Sequence, residues 1–200
     1  VSSVVPYLNK PVIESLKSLC RKKPLVVSDK ITSGLSFDVK QPGEIGADRI
    51  ANAVAGFHHA RKAVAVVDFG TATTITVVGR NMNFLGGAIM PGIHLMQKSL
   101  HRETAKLPIV PLKKNSRALG KDTASSITSG IIHGTAGAVE TIIKNMEKEL
   151  DFKLQLVLTG GNAKFMSSLL KRNYDLVPNL TFEGLRLIYL KNRKELQDHA

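Results

Sequence analysis

Tryptophan is absent from this 200-residue sequence, and aromatic residues make up only 5% of it. Proteins that bind single-stranded nucleic acid stack its bases on aromatic side chains, so the composition argues against that class. Cysteine occurs once, at Cys20, which excludes an internal disulfide framework and indicates a reducing, cytoplasmic environment. No hydrophobic run is long enough to cross a membrane, and residues 1–10 lack the apolar segment of a signal peptide. We therefore expect no membrane partner.

Acidic residues are scarce relative to basic ones: the sequence has 16 Asp and Glu residues and 28 Lys and Arg residues, which gives a formal net charge of +12. This charge suits an anionic partner such as a nucleotide or a nucleic acid. The basic residues are dispersed, however, with small clusters at residues 21–23, 113–114 and 191–194. No zinc-ligand spacing or RNA-binding signature accompanies them. We therefore favour a solvated lysine-rich surface and do not expect nucleic acid as a partner.

One stretch organises the chain: residues 63–78, AVAVVDFGTATTITVV. Its valine-rich beginning predicts a strand covered on both faces, and its end predicts a second strand. Between the two strands, Asp68 and Gly70 are followed by Thr71 and further threonines. A glycine lets backbone amides approach a phosphate group, and an aspartate at a strand end can hold a cation. The alternative is a β-hairpin whose aspartate caps its own turn.

The remaining sequence alternates strand patterns with helix patterns, which predicts an α/β fold. The predicted helices cover residues 11–22, 47–61, 94–100, 122–149, 162–170 and 181–193. The predicted strands cover residues 2–5, 25–28, 63–67, 75–78, 84–88 and 154–158. The helix at residues 122–149 is rich in Ala, Ser and Gly in its first half. Because small residues allow close approach, that face is a candidate interface.

A candidate anion site is the segment Gly46-Ala47-Asp48-Arg49, at the start of the second predicted helix. The N–H groups at a helix N-terminus favour anions. Arg49 can bind a carboxylate through two parallel hydrogen bonds, and Asp48 can accept a proton from a hydroxyl. The alternative is ordinary helix chemistry, in which Asp48 stabilises the helix dipole and Arg49 packs or pairs.

A second glycine-rich candidate is Thr159-Gly160-Gly161, which follows a predicted strand and precedes a predicted helix. Glycines at such a turn let a base and ribose lie against the backbone. The alternative is a turn that requires glycine only for its backbone conformation.

Six motifs occur in an order that resembles one known family. They are GADR, DFGTATT, GGAIMPG, GKDTASSITSG, TGG and PNLTFEGL, preceded by SSVVP near the start. Each motif is weak alone, but their order, and the spacing between Asp48 and Asp68, resemble the type III pantothenate kinases. That family includes the Bvg accessory factors. The resemblance extends from about residue 2 to residue 189.

The resemblance implies a fold of the actin-like ATPase and sugar-kinase superfamily, in which two ribonuclease-H-like halves enclose ATP. Residues 1–63 would be the remainder of the first half and residues 64–200 the second. The family's Asp-x-Gly-Asn-Thr phosphate loop has no counterpart here, so we expect a missing N-terminal portion and little activity from this chain alone. Val39 stands where many members have a tyrosine that contacts the substrate.

The resemblance also implies an activity: ATP phosphorylates pantothenate to 4'-phosphopantothenate, the first step of coenzyme A biosynthesis. It implies Mg²⁺ and a monovalent cation (K⁺ or NH₄⁺) as cofactors, a homodimer as the assembly, and a cytoplasmic location. Asp48 matches the family's proposed general base. The matching substrate-binding residues are Gly46, Ala47, Asp48, Arg49 and Thr123. The matching ATP-binding residues are Gly70, Thr71, Thr159, Gly160 and Gly161, and Asp68 matches the cation ligand.

Two other functions fit parts of the sequence. A non-catalytic module that binds phosphate or a nucleotide would explain the glycine-rich turns without the phosphate loop. A nucleic-acid-binding regulator is favoured only by the net charge of +12.

Overall fold

The computed structural model describes residues 1–2, 6–22, 24–113 and 117–197. Most of the predicted strand at residues 2–5 lies outside these ranges, as do Lys23 and Lys114. The helices are α1 (Pro6–Cys20), α2 (Ala47–Ala60), α3 (Ile93–Arg102), α4 (Thr123–Leu150), α5 (Ala163–Met166) and α6 (Leu180–Gln197). The strands are β1 (Ser36–Phe37), β2 (Val64–Phe69), β3 (Ala72–Val78), β4 (Asn83–Pro91), β5 (Gln155–Thr159) and β6 (Asp175–Leu176). Within the described ranges, no helix has both the length and the apolar character needed to span a membrane.

The strands form a six-stranded sheet in the order β1-β4-β3-β2-β5-β6. Strands β2, β3 and β4 follow one another along the chain and are neighbours in the sheet, because short turns join them. Strand β1 is parallel to β4, with Phe37 opposite Phe84. Strand β5 is parallel to β6, with Val157 opposite Asp175. A sheet whose strands alternate with helices along the chain confirms the predicted α/β class.

Two long helices occur where local signals predicted them. Helix α2 ends where Arg61 adopts a left-handed conformation, with φ of 53°, and donates its N–H to the Phe57 carbonyl. Helix α4 begins after Asp122, whose carboxylate accepts a hydrogen bond from the Ser125 N–H at 2.8 Å. The Ser125 hydroxyl accepts a bond from the Asp122 N–H in return, which completes a capping box.

The glycine-rich segment at residues 86–92 differs from the prediction. The sequence predicts a strand at residues 84–88 that leads into a helix, and the structure extends this strand, β4, as far as Pro91. Gly86 has φ of 116°, a conformation that glycine adopts without a steric penalty. The strand therefore continues beyond its predicted end at residue 88. The helix expected at residues 94–100 follows as α3.

Other predicted elements are shifted or wrong. The strand at residues 25–28 does not form, although the Val27 N–H donates to the Val1 carbonyl at 2.9 Å. Helix α1 starts at Pro6 rather than at residue 11, so Pro11 lies inside it. The helix at residues 162–170 is split into α5 and a 3₁₀ turn at Ser167–Leu169. The two-residue strands β1 and β6 were not predicted, because so short a strand carries no periodic pattern.

The contacts divide the chain into two compact units that interleave along the sequence. Unit 1 comprises Val1–Val64, Thr76–Gly86 and Asn179–Ala200. Unit 2 comprises Ala65–Ile75 and Gly87–Pro178. The domain division at residues 63 and 64, which the family resemblance implied, stays a prediction.

The core of unit 1 lies between α2 and α6. Ile50, Ala51 and Val54 of α2 cluster with Ile188 of α6, and each of these four residues is 0% exposed. Gly184 allows the two helices to come close, because a Cβ added there would lie 2.9 Å from the Cα of Ala51. Helix α2 therefore has a packed support beneath its first turn, where the GADR segment lies.

In unit 2, a buried carboxylate connects the end of α4 to the start of β5. Glu147 accepts a hydrogen bond from the Leu154 N–H at 3.1 Å and pairs with Lys153 and Arg172. Burial raises the pKa of Glu147, but the bonds from Arg172, Leu154 and Lys153 together hold that pKa below its usual value. Glu147 is thus ionised, and it fixes the point at which β5 begins. The other end of β5 carries residues 159–161.

Candidate functional site

The first candidate site lies in unit 1, at the start of α2. Gly46 is the N-cap residue, and no side chain caps this end of the helix. The N–H groups of Ala47 and Asp48, the first two residues of α2, are therefore left for an anion or water, whereas that of Arg49 is taken by a carboxylate. The carboxylate of Asp48 lies in the first turn and accepts a hydrogen bond from the Arg49 N–H at 2.9 Å. This bond keeps the carboxylate at the helix start.

Arg49 is held by two residues of unit 1, one on β3 and one on β4. Its Nε donates to the Thr76 hydroxyl of β3 at 3.1 Å. Its Cζ lies 5.4 Å from the centre of the Phe84 ring, on β4, in a cation–π contact. The Phe84 ring lies 5.9 Å from the ring of Phe37. The guanidinium is therefore fixed at its Nε edge by the hydrogen bond to Thr76 and on one face by the Phe84 ring.

Burial has an electrostatic effect on the half-buried Arg49. Loss of water around the guanidinium lowers the pKa of Arg49, and the nearby carboxylate of Asp48 raises it in part. The ordinary pKa of arginine is so high that the group stays charged at neutral pH. A half-buried, oriented guanidinium binds carboxylates strongly, because less water competes for its donors.

The second candidate site lies in unit 2, where β2 and β5 end next to each other. The Asn162 N–H donates to the Phe69 carbonyl at 3.0 Å. Gly160 has φ of 95°, and a Cβ added there would meet the carboxylate of Asp68 and lie 2.8 Å from backbone atoms of Phe69. Only glycine fits this position. The structure thus brings together Asp68 and Gly160, which belong to separate sequence motifs.

The turn between β2 and β3 is packed in a similar way. The Gly70 N–H donates to the Ala72 carbonyl, and the Gly92 N–H donates to the Thr71 carbonyl, both at 3.0 Å. A Cβ on Gly92 would lie 2.8 Å from the carbonyl carbon of Thr71. The backbones are therefore in direct contact, which fixes the position of Thr71. The Thr71 side chain is exposed, so its hydroxyl can reach a ligand.

The other members of the predicted ATP turn have different environments. Thr159 is 1% exposed, and its hydroxyl donates to the Pro178 carbonyl at 3.3 Å. That side chain fastens the end of β5, so a ligand contact would come from the Thr159 backbone. Gly161 is exposed, and a Cβ added there would meet no atom within 4 Å.

A cavity of about 1330 Å³ lies between α3 and α4 in unit 2. Its walls are mostly apolar and include Leu95, Met96 and Ile127. Thr123, the first residue of α4, lines the same cavity. The structure thus places Thr123 on a wall with room for a small organic molecule or for a side chain of another chain.

The predicted site residues fall into three places. Four lie at the start of α2, six at the ends of β2 and β5 or the adjoining turn, and one on the wall of the cavity. The sequence did not reveal Thr76 and Phe84 as neighbours of Arg49. The only available signal was a polar residue inside the apolar pattern at residues 75–78. Among the described residues, no group of three or more His, Cys, Asp or Glu side chains could hold a metal ion.

Residues 1–145 match the family described as type III pantothenate kinase. The chain is similar to a structure from Campylobacter jejuni, described as a conserved Baf family transcriptional activator, with a TM-score of 0.66 and 22% identity over 93% of this chain and 80% of that chain. It is also similar to the ethanolamine utilization protein EutJ from Carboxydothermus hydrogenoformans, with a TM-score of 0.46 and 18% identity over 90% of this chain and 72% of that chain. The family match and the observed sheet confirm the predicted fold class, that of the actin-like ATPase and sugar-kinase superfamily.

Proposed function

Since the chain belongs to the type III pantothenate kinase family, we propose that it phosphorylates pantothenate at its terminal hydroxyl, with ATP as the donor. The supporting observation is the start of α2, where Asp48 lies beside an Arg49 fixed by Thr76. Successive residues of a helix point about 100° apart, so these two side chains reach different groups. Pantothenate offers both: a hydroxyl for a carboxylate to orient and a carboxylate for a guanidinium to bind.

In the proposed reaction, the hydroxyl oxygen of pantothenate bonds to the γ-phosphorus as the bond to the bridging oxygen of ADP breaks. The hydroxyl proton passes to Asp48. Phosphoryl transfer depends on positioning and charge neutralisation more than on covalent catalysis. Bound ATP would supply the phosphoryl group, and bound Mg²⁺ would neutralise its phosphate charge.

The strand ends of unit 2 suit the ATP. Gly161 is exposed with open space at its Cβ position, and Thr71 presents an exposed hydroxyl. Asp68 lies against Gly160, where its carboxylate would bind K⁺ or NH₄⁺ together with backbone or phosphate oxygens. These residues fit a nucleotide because such a site needs close backbone approach and few bulky side chains.

The direct test of this function is turnover. The full-length protein is incubated with ATP, pantothenate, Mg²⁺ and K⁺, and ADP and 4'-phosphopantothenate are measured by mass spectrometry. We expect both products in equal amounts. ATP binding without either product would instead favour a non-catalytic nucleotide-binding module.

Arg49→Lys should weaken the binding of pantothenate about tenfold, because lysine keeps the charge but loses the planar pair of donors. ATP binding should change little. Calorimetric titration of the full-length protein with each ligand separately measures both affinities.

The matched control is Arg61→Lys, at the other end of the same helix. This variant should bind pantothenate as the wild type does. Unchanged pantothenate binding in Arg49→Lys would show that Arg49 does not bind the substrate carboxylate.

We also propose that the protein forms a homodimer through α4. Gly130, Gly134 and Gly137 are exposed on this helix, and a Cβ added to any of them would meet no atom within 4 Å. Gly130 also lines the apolar cavity beside α3. A face with open space and little side-chain bulk allows a second helix to approach closely.

Gly134→Leu should weaken dimerisation about tenfold or more, because a large side chain would enter the contact between the two copies. Light scattering at micromolar concentration should give twice the chain mass of 21.7 kDa for the wild type. The matched control is Gly43→Leu, since a Cβ on Gly43 also has open space and lies in unit 1. A monomeric wild type, or dimerisation unaffected by Gly134→Leu, would rule out this interface.

A further inference from the structure

We infer that Thr76 and Phe84 are positioning residues, which fix the guanidinium of Arg49 for the carboxylate of the substrate. The inference rests on the proposed function, because it assigns these residues to the recognition of pantothenate. Neither side chain needs to touch the substrate. Both would act through Arg49, and all three residues lie within unit 1.

The burial of Thr76 supports this role. Thr76 is a buried residue of β3, only 1% exposed. A hydroxyl in such surroundings is costly unless it has a hydrogen-bond partner. Its oxygen accepts the bond from Arg49 Nε at 3.1 Å. Valine would fill this space equally well, so packing alone does not explain the hydroxyl.

The aromatic contact adds a second restraint. Phe84 is 1% exposed, and strand pairing places Phe37 opposite it. The two rings lie 5.9 Å apart with an angle of 41° between their planes. The Phe84 ring is therefore itself fixed, and the guanidinium lies against it with its Cζ 5.4 Å from the ring centre.

Together the two contacts leave a defined part of Arg49 for a ligand. The guanidinium has five N–H donors, and Thr76 takes the one on Nε. The terminal nitrogens, Nη1 and Nη2, remain as a parallel pair that matches a carboxylate. Because the side chain is held before the substrate arrives, less conformational entropy is lost on binding.

The first experiment measures the position of Arg49 without any substrate. In the full-length protein, NMR follows the exchange of the Arg49 Nε–H with water. Thr76→Val should accelerate this exchange at least tenfold, because the acceptor is lost, whereas Thr76→Ser should preserve slow exchange. Thr135→Val is the matched control, since the buried Thr135 hydroxyl donates to the Ile131 carbonyl of its own helix.

The second experiment measures substrate affinity. Thr76→Val should weaken pantothenate binding about tenfold, and Thr76→Ser should restore most of it. Phe84→Leu, which keeps apolar volume but removes the ring, should weaken it about threefold. ATP affinity should be unchanged in each variant, and Thr135→Val should bind both ligands normally.

A double variant separates positioning from general damage. In an Arg49→Lys background, Thr76→Val should cause no further loss of pantothenate affinity, because the group it orients is gone. An additive loss, or unchanged Nε–H exchange in Thr76→Val, would overturn the inference. Slow exchange that depends on Thr76 in a wild type that does not bind pantothenate would overturn the proposed substrate while leaving Arg49 fixed by Thr76.

Discussion

Asp48→Asn in the full-length protein is expected to lower kcat by about 10²–10⁴-fold, the usual effect of losing a general base. The affinities for pantothenate and ATP should change little. Asparagine has the same shape, and its side-chain oxygen can still accept the Arg49 N–H that Asp48 accepts at 2.9 Å. The start of α2 should therefore stay folded while the proton acceptor is lost. Steady-state turnover and calorimetry together separate these effects.

Two comparisons make this result specific to Asp48. Glu44→Gln removes an exposed carboxylate just before the same helix and should leave kcat unchanged. Asp68→Asn should act differently, reducing activation by K⁺ and the affinity for ATP, because it removes the proposed cation ligand. If Asp48→Asn abolishes K⁺ activation and Asp68→Asn does not, the two roles are reversed. Full turnover in both variants would mean that neither carboxylate takes part.

Gly160→Ala should lower the free energy of unfolding by about 3 kcal/mol and the affinity for ATP at least tenfold. Two costs add at this position. Alanine is strained at φ of 95°, and its Cβ would lie 2.8 Å from backbone atoms of Phe69 and against the carboxylate of Asp68. Relief of the overlap requires the ends of β2 and β5 to separate, which moves the proposed ATP turn. Chemical denaturation and ATP calorimetry measure the two losses.

The neighbouring glycine supplies the control. Gly161→Ala adds the same methyl group, but no atom lies within 4 Å of it. This variant should keep the stability of the wild type, so any loss of ATP affinity there would report direct contact with the nucleotide. Equal stability for both variants would show that β2 and β5 do not approach each other as closely as described.

Much of the architecture could be predicted because its causes are local. The apolar face and first turn of α2, the cap at Asp122 before α4 and the valine-rich β2 each follow from neighbouring residues. The failures also have local explanations. Strand β4 continues to Pro91, beyond its predicted end at residue 88, and β1 and β6 are too short for any pattern. Those two strands form because β4 and β5 offer them a parallel partner.

In the candidate sites, too, the features with local causes were predictable and those that depend on distant residues were not. Sequence motifs named Asp48, Arg49, Asp68 and the glycine turn, since each segment carries a recognisable group of residue types. The partners of Arg49 were not predictable, because Thr76 is 27 positions away along the chain and no local pattern links them. The requirement for glycine at position 160 was not predictable either, because it arises from contact with Asp68 and Phe69 on another strand.

By itself, the sequence determined the α/β class, the main helices and the chemical groups available for an anionic substrate and a nucleotide. Periodicity, capping and residue type are properties of short segments, so they can be recognised from the sequence without knowledge of the fold. Only the tertiary structure decided which groups are held in place. The guanidinium of Arg49 is oriented by the Thr76 hydroxyl on β3 and the Phe84 ring on β4. Position 160 requires glycine because the end of β5 packs against the end of β2. Such close backbone contacts form between segments that are distant in the chain, so they depend on the tertiary structure.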